Sequence, residues 1–290
     1  MAVELREFQL FQMNILNEID RVCKKNGLTW YAGWGTLLGA ARHQGFIPWD
    51  DDIDIIMPHK DYLAFRDACA RDLDDRFYLQ VHSVNPANDI VWQRVGVKNS
   101  TSLPVDSRDI PAEWGVCVDI FTLFPCPDPE SSKYDDFLKE CDRFYRTSSL
   151  YRYRKMARAG SGPKRLYYRL RARQSDADNV RQWLDQERAL MKGERWGKTP
   201  WLHEPDDSER KRCLRREWFD GDPVELPFED RTVPAPACYR EVLTASYGPD
   251  WMEIPPESKR VQHSGGGSDD VIVYLDRPYT DFLQNLVAAR

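Results

Sequence analysis

The stretch that decides the fold is Trp49-Asp-Asp-Asp-Ile-Asp-Ile-Ile-Met-Pro58, in which four carboxylates and four bulky apolar side chains occupy eight consecutive positions. Residues 52–57 follow the period-2 pattern of a strand with one buried face, and Pro58 ends the strand. In an extended chain, Asp50, Asp52 and Asp54 project on one side. The segment must therefore anchor in a core while it presents its carboxylates.

Carboxylates this close together repel one another, and a divalent cation or basic neighbours would relieve the repulsion. Hard oxygen ligands without a nearby His or Cys favour Mg²⁺ or Mn²⁺. An acidic surface loop is the alternative, but the interleaved apolar side chains argue against it. An EF-hand loop is excluded because Ile55 stands where that loop needs glycine and Asp61 where it needs glutamate.

The segments on either side of this strand predict a fold of the α/β (α+β) class over residues 1–127. Upstream, apolar spacing predicts a helix over residues 3–25 that ends near Gly27. Further predicted elements are strands at 29–33, 77–82, 90–98 and 116–121, and helices at 35–43 and 61–70. Together these elements predict a mixed sheet with flanking helices.

The remainder of the chain divides into two regions. Residues 128–212 are predicted to be helical, with a break at Gly160-Ser-Gly-Pro163. In residues 213–290, clustered prolines predict short strands and turns that pack back on the core, followed by a final helix near 279–289.

Composition excludes several classes of protein. The chain has 290 residues, is 41% hydrophobic and contains no apolar run long enough to span a bilayer. The first ten residues lack the features of a signal peptide, so we expect a cytoplasmic location, peripheral at the inner membrane face. The seven cysteines form no CxxC pair and are expected to be reduced and mostly buried.

Other segments carry candidate binding residues. Gly33-Trp34-Gly35-Thr36 precedes a helix and is a candidate phosphate cradle, although an ordinary tight turn explains it equally well. Asp119 interrupts an apolar strand, either as a third metal ligand or as a core carboxylate paired with an arginine. The cations considered for phosphate binding are Arg42, Arg94 and Lys98. His263 either binds substrate or caps a loop.

A basic block spans residues 143–173, with eleven Lys or Arg residues, no Asp or Glu, and five interleaved tyrosines. Such a block suits an anionic membrane surface, a polyanionic acceptor or nucleic acid. A solvated helix face is the simpler alternative.

Taken together, these residues resemble the LicD family. Two segments resemble the hallmark of that family. They are Trp34-Gly-Thr-Leu-Leu-Gly-Ala-Ala-Arg42 and, after it, Gly45-Phe-Ile-Pro-Trp-Asp-Asp-Asp-Ile-Asp54. Further similar segments are Val97-Lys-Asn99, Trp114–Phe121, Tyr247–Met252 and Pro255–His263, so the resemblance covers roughly residues 4–263.

This resemblance implies a nucleotidyltransferase-like fold, related to the fukutin-type ribitol-phosphate transferases. The implied reaction transfers a phospho-alcohol such as phosphocholine from a CDP-activated donor to a glycan or cell-surface polysaccharide precursor. Asp52 and Asp54 would be catalytic metal ligands, with Asp119 as the third carboxylate and Asp50 as an additional ligand. The residues that would bind substrate are Gly35, Thr36, Arg42, Trp49, Lys98, Arg260 and His263.

The candidate phosphate cradle departs from the pattern of the superfamily. There the turn is usually Gly-Ser, and fewer residues separate it from the acidic strand. Here a whole helix follows Gly35-Thr36.

The second enzymatic hypothesis is a nucleotidyltransferase that moves a nucleoside monophosphate to a sugar or other small acceptor. A non-enzymatic docking module is disfavoured, because a retired active site has no reason to keep buried like charges. No nucleic-acid partner is expected.

Overall fold

The computed structural model describes residues 3–193, 195, 198–204, 213–260 and 270–283. The helices in these residues, α1 to α8 in chain order, are Leu5–Asn26, Trp34–His43, His59–Asp72, Tyr134–Ser148, Leu150–Ala159, Gly162–Arg171, Asp176–Lys192 and Tyr239–Tyr247. The strands, β1 to β12, are Tyr31–Ala32, Asp54–Ile56, Phe77–Gln80, Gln93–Val97, Thr101–Pro104, Cys117–Phe121, Phe124–Pro125, Trp201–His203, Cys213–Arg215, Val224–Phe228, Arg231–Ala235 and Val271–Tyr274.

The predicted mixed α/β class is confirmed, and the opening helix ends where its glycine predicts. Gly27 has φ 63°, and its N–H reaches the carbonyl oxygens of Cys23 and Lys24. A left-handed glycine that closes the last turn is a common helix terminus. Helix α1 can therefore stop and let the chain turn into β1.

The central sheet has five strands in the order β1-β2-β6-β4-β3. Strands β2 and β6 are parallel, while the other pairs in this sheet are antiparallel. Asp54 lies opposite Asp119, and Asp119 lies opposite Arg94. Because directly opposite residues share a face of the sheet, two acids and one arginine form a row across three strands.

A hydrophobic core lies against this sheet and supports the acidic segment. Ile15 and Ile19 of α1 are fully buried, as are Ile53 and Ile55 around the start of β2. The same cluster of buried residues continues into α4 and α7, where Phe144 stacks on Trp183 with ring centroids 5.2 Å apart. The predicted helical region thus contributes to the core that also holds the sheet.

The acidic strand is shorter than predicted, because it begins at Asp54 and not at Asp52. Two buried amides of α1 bind the preceding carbonyl groups instead. Gln9 Nε2 donates to the oxygen of Asp50 at 2.7 Å, and Gln12 Nε2 donates to that of Asp51 at 2.9 Å. Side-chain donors thus take the place of a neighbouring strand. They satisfy the backbone carbonyl groups without hydrogen bonds between strands.

Three further elements differ from the prediction. Strand β8 lies within the region predicted to be helical and pairs with β7, which immediately precedes that region. Helix α8 stands among the proline-rich strands and turns, where no helix was predicted. Of the predicted final helix, residues 279–281 form a single 3-10 turn, and 284–289 lie outside the described residues.

Two expectations from composition have structural counterparts. All seven cysteines are free thiols, and five of them are buried. Within the described ranges, no helix is both long enough and apolar enough to cross a membrane.

Candidate active site

An open cleft of about 630 Å³ brings the acidic segment against residues from the C-terminal part of the chain. Its lining residues are Trp34, Gly35, Leu38, Arg42, Ile47, Trp49, Asp50, Asp52, Asp54, Asp119, Phe121, Tyr247, Asp250, Trp251, Glu253, Ile254, Pro255, Pro256 and Lys259. The four carboxylates predicted as metal ligands therefore face one cavity, as the alternation around β2 predicts for three of them.

The first three aspartates form the tightest group of oxygens. One carboxylate oxygen each from Asp50, Asp51 and Asp52 can be chosen so that all three lie within 4.8 Å of one another. Asp51 is fully buried and Asp50 nearly so. An all-oxygen set with this spacing fits a hard divalent cation such as Mg²⁺ or Mn²⁺. Asp51 is a candidate ligand that the sequence prediction omitted.

The proton affinities of these carboxylates reflect their burial first and their mutual repulsion second. Burial, reinforced by the charge of Asp51, raises the pKa of Asp50 to about 6. Burial and the charges of Asp52, Asp119 and Glu204 raise the pKa of Asp54 well above its ordinary value. Both shifts oppose ionisation. A bound cation would therefore stabilise the site most at a pH where both carboxylates are charged.

Glu204 is a buried acid near Asp54 that the sequence prediction missed. It directly follows β8, is 1% exposed, and contributes to the raised pKa of Asp54. No local pattern identifies it, because its proximity to β2 arises from the pairing of β8 with β7.

Asp119 is held by Arg94, its neighbour across the sheet. The guanidinium makes a bidentate contact, with Nη2 donating to Oδ2 at 3.0 Å and Nε donating to Oδ1. Burial opposes the charge of Arg94, but the ionic contact with Asp119 prevails and raises the pKa of Arg94. Asp119 thus has an arginine partner, which was one of the two alternatives that the sequence left open. It also lines the cleft. Arg94, considered for phosphate binding, is occupied by this ion pair.

Gly35 and Thr36 position the aspartates. A Cβ atom at Gly35 would lie 2.6 Å from Oδ2 of Asp50, so this position accepts only glycine without a shift. The preceding Trp34 has φ 35°, a left-handed value that is rare for a bulky residue. Thr36 is 4% exposed, and its hydroxyl accepts a 2.8 Å hydrogen bond from the N–H of Asp54. A role of either residue toward donor phosphate stays a prediction.

Arg42 joins helix α2 to the opposite wall of the cleft. Its Nη1 donates to the carbonyl oxygens of Trp251 and Glu253 at 2.9 and 3.0 Å, and burial lowers its pKa. The guanidinium of Arg260 lies over the ring of Trp49, 4.4 Å from the centroid. These contacts fasten the segment around residues 251–260 to the acidic half of the site.

Two predicted substrate-binding residues do not join this arrangement. Lys98 is exposed after the end of β4 and is not among the residues that line the cleft. His263 lies outside the described residues.

Five of the lining residues are aromatic, a set that we term the aromatic wall, and the sequence prediction assigned only Trp49 among them to substrate binding. Its members are Trp34, Trp49, Phe121, Tyr247 and Trp251. Two carboxylates, Asp250 and Glu253, line the same cleft. The signal was present in Tyr247-Gly-Pro-Asp-Trp-Met252, which carries two of these rings and one of these acids.

Comparison with known sequences shows that the part of the chain that carries the acidic segment is similar to one protein family. Residues 27–128 match the family described as LicD/FKTN/FKRP, nucleotidyltransferase domain. This stretch contains α2, β2 and β6 and therefore all four predicted metal-binding aspartates. The match to this family thus covers residues 27–128, less than half of the chain.

Three curated relatives share part of this sequence. The lipopolysaccharide cholinephosphotransferase LicD of Haemophilus influenzae is 39% identical over 92 residues, 32% of this chain and 33% of that protein. Uncharacterized proteins of Rickettsia typhi and Rickettsia prowazekii are 40% and 41% identical over 63 and 56 residues, which are 22% and 19% of this chain. The chain thus spans a third of the first relative's length and 20% of each of the other two.

The hydrogen bond between Thr36 and Asp54 can be tested directly. We expect Thr36→Val to destabilise the protein by about 1–3 kcal/mol, because it leaves the N–H of Asp54 without its acceptor. Thr36→Ser keeps the hydroxyl and is the matched control. Urea unfolding of both variants gives the comparison, and equal free energies of unfolding would remove this bond from the support of the site.

Proposed function

We propose that this chain is a metal-dependent transferase that moves a phospho-alcohol, most suitably phosphocholine, from a CDP-activated donor to a glycan acceptor. The observation that carries the proposal is the cleft itself, where the carboxylates of a LicD-family domain face an aromatic wall. The Haemophilus influenzae relative is named a lipopolysaccharide cholinephosphotransferase, which supports the same transferred group and a lipopolysaccharide-type acceptor.

The charge of the cleft supports the metal requirement. Among the described residues that line it, six are carboxylates and two, Arg42 and Lys259, are cations. Such a cleft would repel a pyrophosphate donor. Mg²⁺ or Mn²⁺ held by Asp50 and Asp52, together with Asp51 or Asp54, would supply the positive charge that binds the donor and offsets charge developing on the CMP leaving group.

We assign Asp119 to a supporting role in this chemistry. Both carboxylate oxygens of Asp119 accept hydrogen bonds from Arg94, which fixes the orientation of the carboxylate. Asp119 therefore suits a fixed negative charge beside Asp54 better than it suits a proton acceptor for the attacking hydroxyl. Arg94 keeps that charge oriented and limits its repulsion of Asp54.

The aromatic wall supports choline as the alcohol. A quaternary ammonium binds the faces of Trp and Tyr rings within about 6 Å of the ring centroid. Tyr247 and Trp251 offer such rings, and Asp250 and Glu253 add negative charge nearby. A neutral polyol such as ribitol would gain nothing from that charge.

We expect Asp52→Asn and Asp54→Asn to reduce transfer by at least about a hundredfold, because each removes ligand charge with little change in volume. The assay measures CMP release and product formation from CDP-choline with Mg²⁺ and a lipopolysaccharide acceptor. Asp222→Asn changes an exposed aspartate outside the cleft and is the control.

Wild-type turnover in either site variant would contradict the assignment. Incubation with CTP distinguishes the second hypothesis, since a nucleotidyltransferase would attach CMP to the acceptor and release pyrophosphate.

Metal should also stabilise the protein in a pH-dependent way. Because the pKa of Asp50 is raised from 3.8 to about 6, its contribution to folding is greatest below 3.8 and is lost as pH rises through 6. A cation that binds the ionised carboxylate offsets this loss. We therefore expect millimolar Mg²⁺ to raise the melting temperature more above pH 6 than below it.

Thermal melts with and without Mg²⁺ measure this effect, and Asp50→Asn should reduce its pH dependence. A wild-type protein whose melting temperature ignores Mg²⁺ and Mn²⁺ at every pH, with nucleotide present, would argue against a carboxylate metal site.

The choline assignment predicts a selective effect of the aromatic wall. Tyr247→Leu should raise the KM for CDP-choline by about threefold to thirtyfold, because a cation–π contact contributes roughly 0.5–2 kcal/mol. The KM for CDP-ribitol should change much less. Steady-state kinetics with both donors provide the measurement, and an equal change for the two would place choline recognition elsewhere.

A further inference from the structure

The α5–α6 hairpin, residues 150–171, leaves apolar side chains uncovered. Helix α6 has no buried residue. Leu166, Tyr167 and Leu170 are 61%, 45% and 53% exposed, and Met156 of α5 is 40% exposed. Leu166 and Leu170 are one helical turn apart and therefore share a side of α6. The hairpin thus presents an apolar surface that the described part of the chain does not cover.

Unpaired basic residues accompany these apolar side chains. Helix α5 neutralises part of its charge, since Arg152, Arg154 and Lys155 form ion pairs with Asp89, Asp176 and Asp109. On and just after α6, four basic residues are exposed and have no ion pair with any residue that the structure describes. These are Lys164, Arg165, Arg169 and Arg173. The excess positive charge of the basic block is therefore concentrated around α6.

The hairpin is held together by its own aromatic contacts. Tyr153 of α5 stacks on Tyr168 with centroids 6.1 Å apart and meets Tyr167 edge-on at 6.4 Å. The guanidinium of Arg171 lies over the Tyr153 ring at 5.5 Å. These contacts fix α6 against α5, so its leucines and cations are presented together.

We propose that the α5–α6 hairpin docks on an anionic lipid bilayer. Interfacial helices bind bilayers by inserting apolar side chains while basic side chains contact anionic headgroups, and α6 offers both. A soluble polyanion would use the charges and leave the leucines in water. A second copy of this chain would bring two basic blocks together, and residues 143–173 contain no acid to compensate them. The bilayer is the partner that accounts for both properties.

The proposal does not depend on the transfer reaction, because none of the hairpin residues named above lines the cleft. The test uses the full chain in sedimentation with vesicles of phosphatidylcholine, with and without phosphatidylglycerol. Binding should require phosphatidylglycerol and weaken with salt. Arg165→Gln/Arg169→Gln should lower vesicle partitioning by at least about tenfold, since each basic residue near an anionic surface contributes roughly fivefold. Leu166→Gln/Leu170→Gln should lower it by at least about tenfold through lost insertion.

Matched controls make the same changes elsewhere on the surface. Arg181→Gln/Arg188→Gln removes two exposed charges of α7, and Leu10→Gln/Leu63→Gln alters two leucines that are 47% and 42% exposed. Both controls should partition like the wild type. The proposal is overturned if the wild type does not bind anionic vesicles, or if hairpin and control variants lose binding equally.

Two further outcomes would assign the surface to another partner. Binding to dextran sulfate that is lost in the arginine variant, with vesicle binding unaffected by the leucine changes, would indicate a soluble polyanion. Dimerisation in light scattering that the leucine changes abolish would indicate a second copy. Either result would overturn the bilayer assignment.

Discussion

The parallel pairing of β2 with β6 is the constraint on which the rest of the site depends. It sets Asp54 directly opposite Asp119, and the antiparallel β4 adds Arg94 on the other side of Asp119. Two adjacent carboxylates on one face of a sheet repel each other. Arg94 relieves the repulsion from one side only. The other side, where Asp50 and Asp52 also face the cleft, is left with a negative excess that a divalent cation would balance.

Groups whose bonding does not depend on the charge of the carboxylates hold this repulsive arrangement in place. Gln9 and Gln12 bind backbone carbonyls of the acidic segment, and Thr36 binds the N–H of Asp54. Fully buried isoleucines, including Ile53 and Ile55, anchor the same segment in the hydrophobic core. Since these contacts involve backbone groups and not the carboxylates, they do not depend on whether the acids are protonated or ionised, and they would hold the carboxylates in place with or without a cation.

The sequence predicts the direction of side chains within one segment better than it predicts the contacts between segments. Acid and apolar alternation predicted that Asp50, Asp52 and Asp54 would face one side, because side-chain direction in an extended chain is a local property. The partner of Asp119 stayed open, since strand register is set by contacts far apart in the chain. Glu204 was missed for the same reason. Of the aromatic wall only Trp49 was predicted, since the approach of Trp251 to the acidic half of the site depends on a contact with Arg42, which is far away in the chain.

The cleft and the α5–α6 hairpin carry opposite charge and respond differently to the solvent. At physiological ionic strength the Debye length is about 8 Å, so the exposed cations around α6 are strongly screened. Asp50 and Asp51 are buried and interact over shorter distances, where salt has little effect. If the hairpin binds an anionic bilayer and the acidic segment binds a cation, as proposed, ionic strength would weaken the first interaction much more than the second. Such a chain would be released from an anionic surface without losing the site that would carry its chemistry.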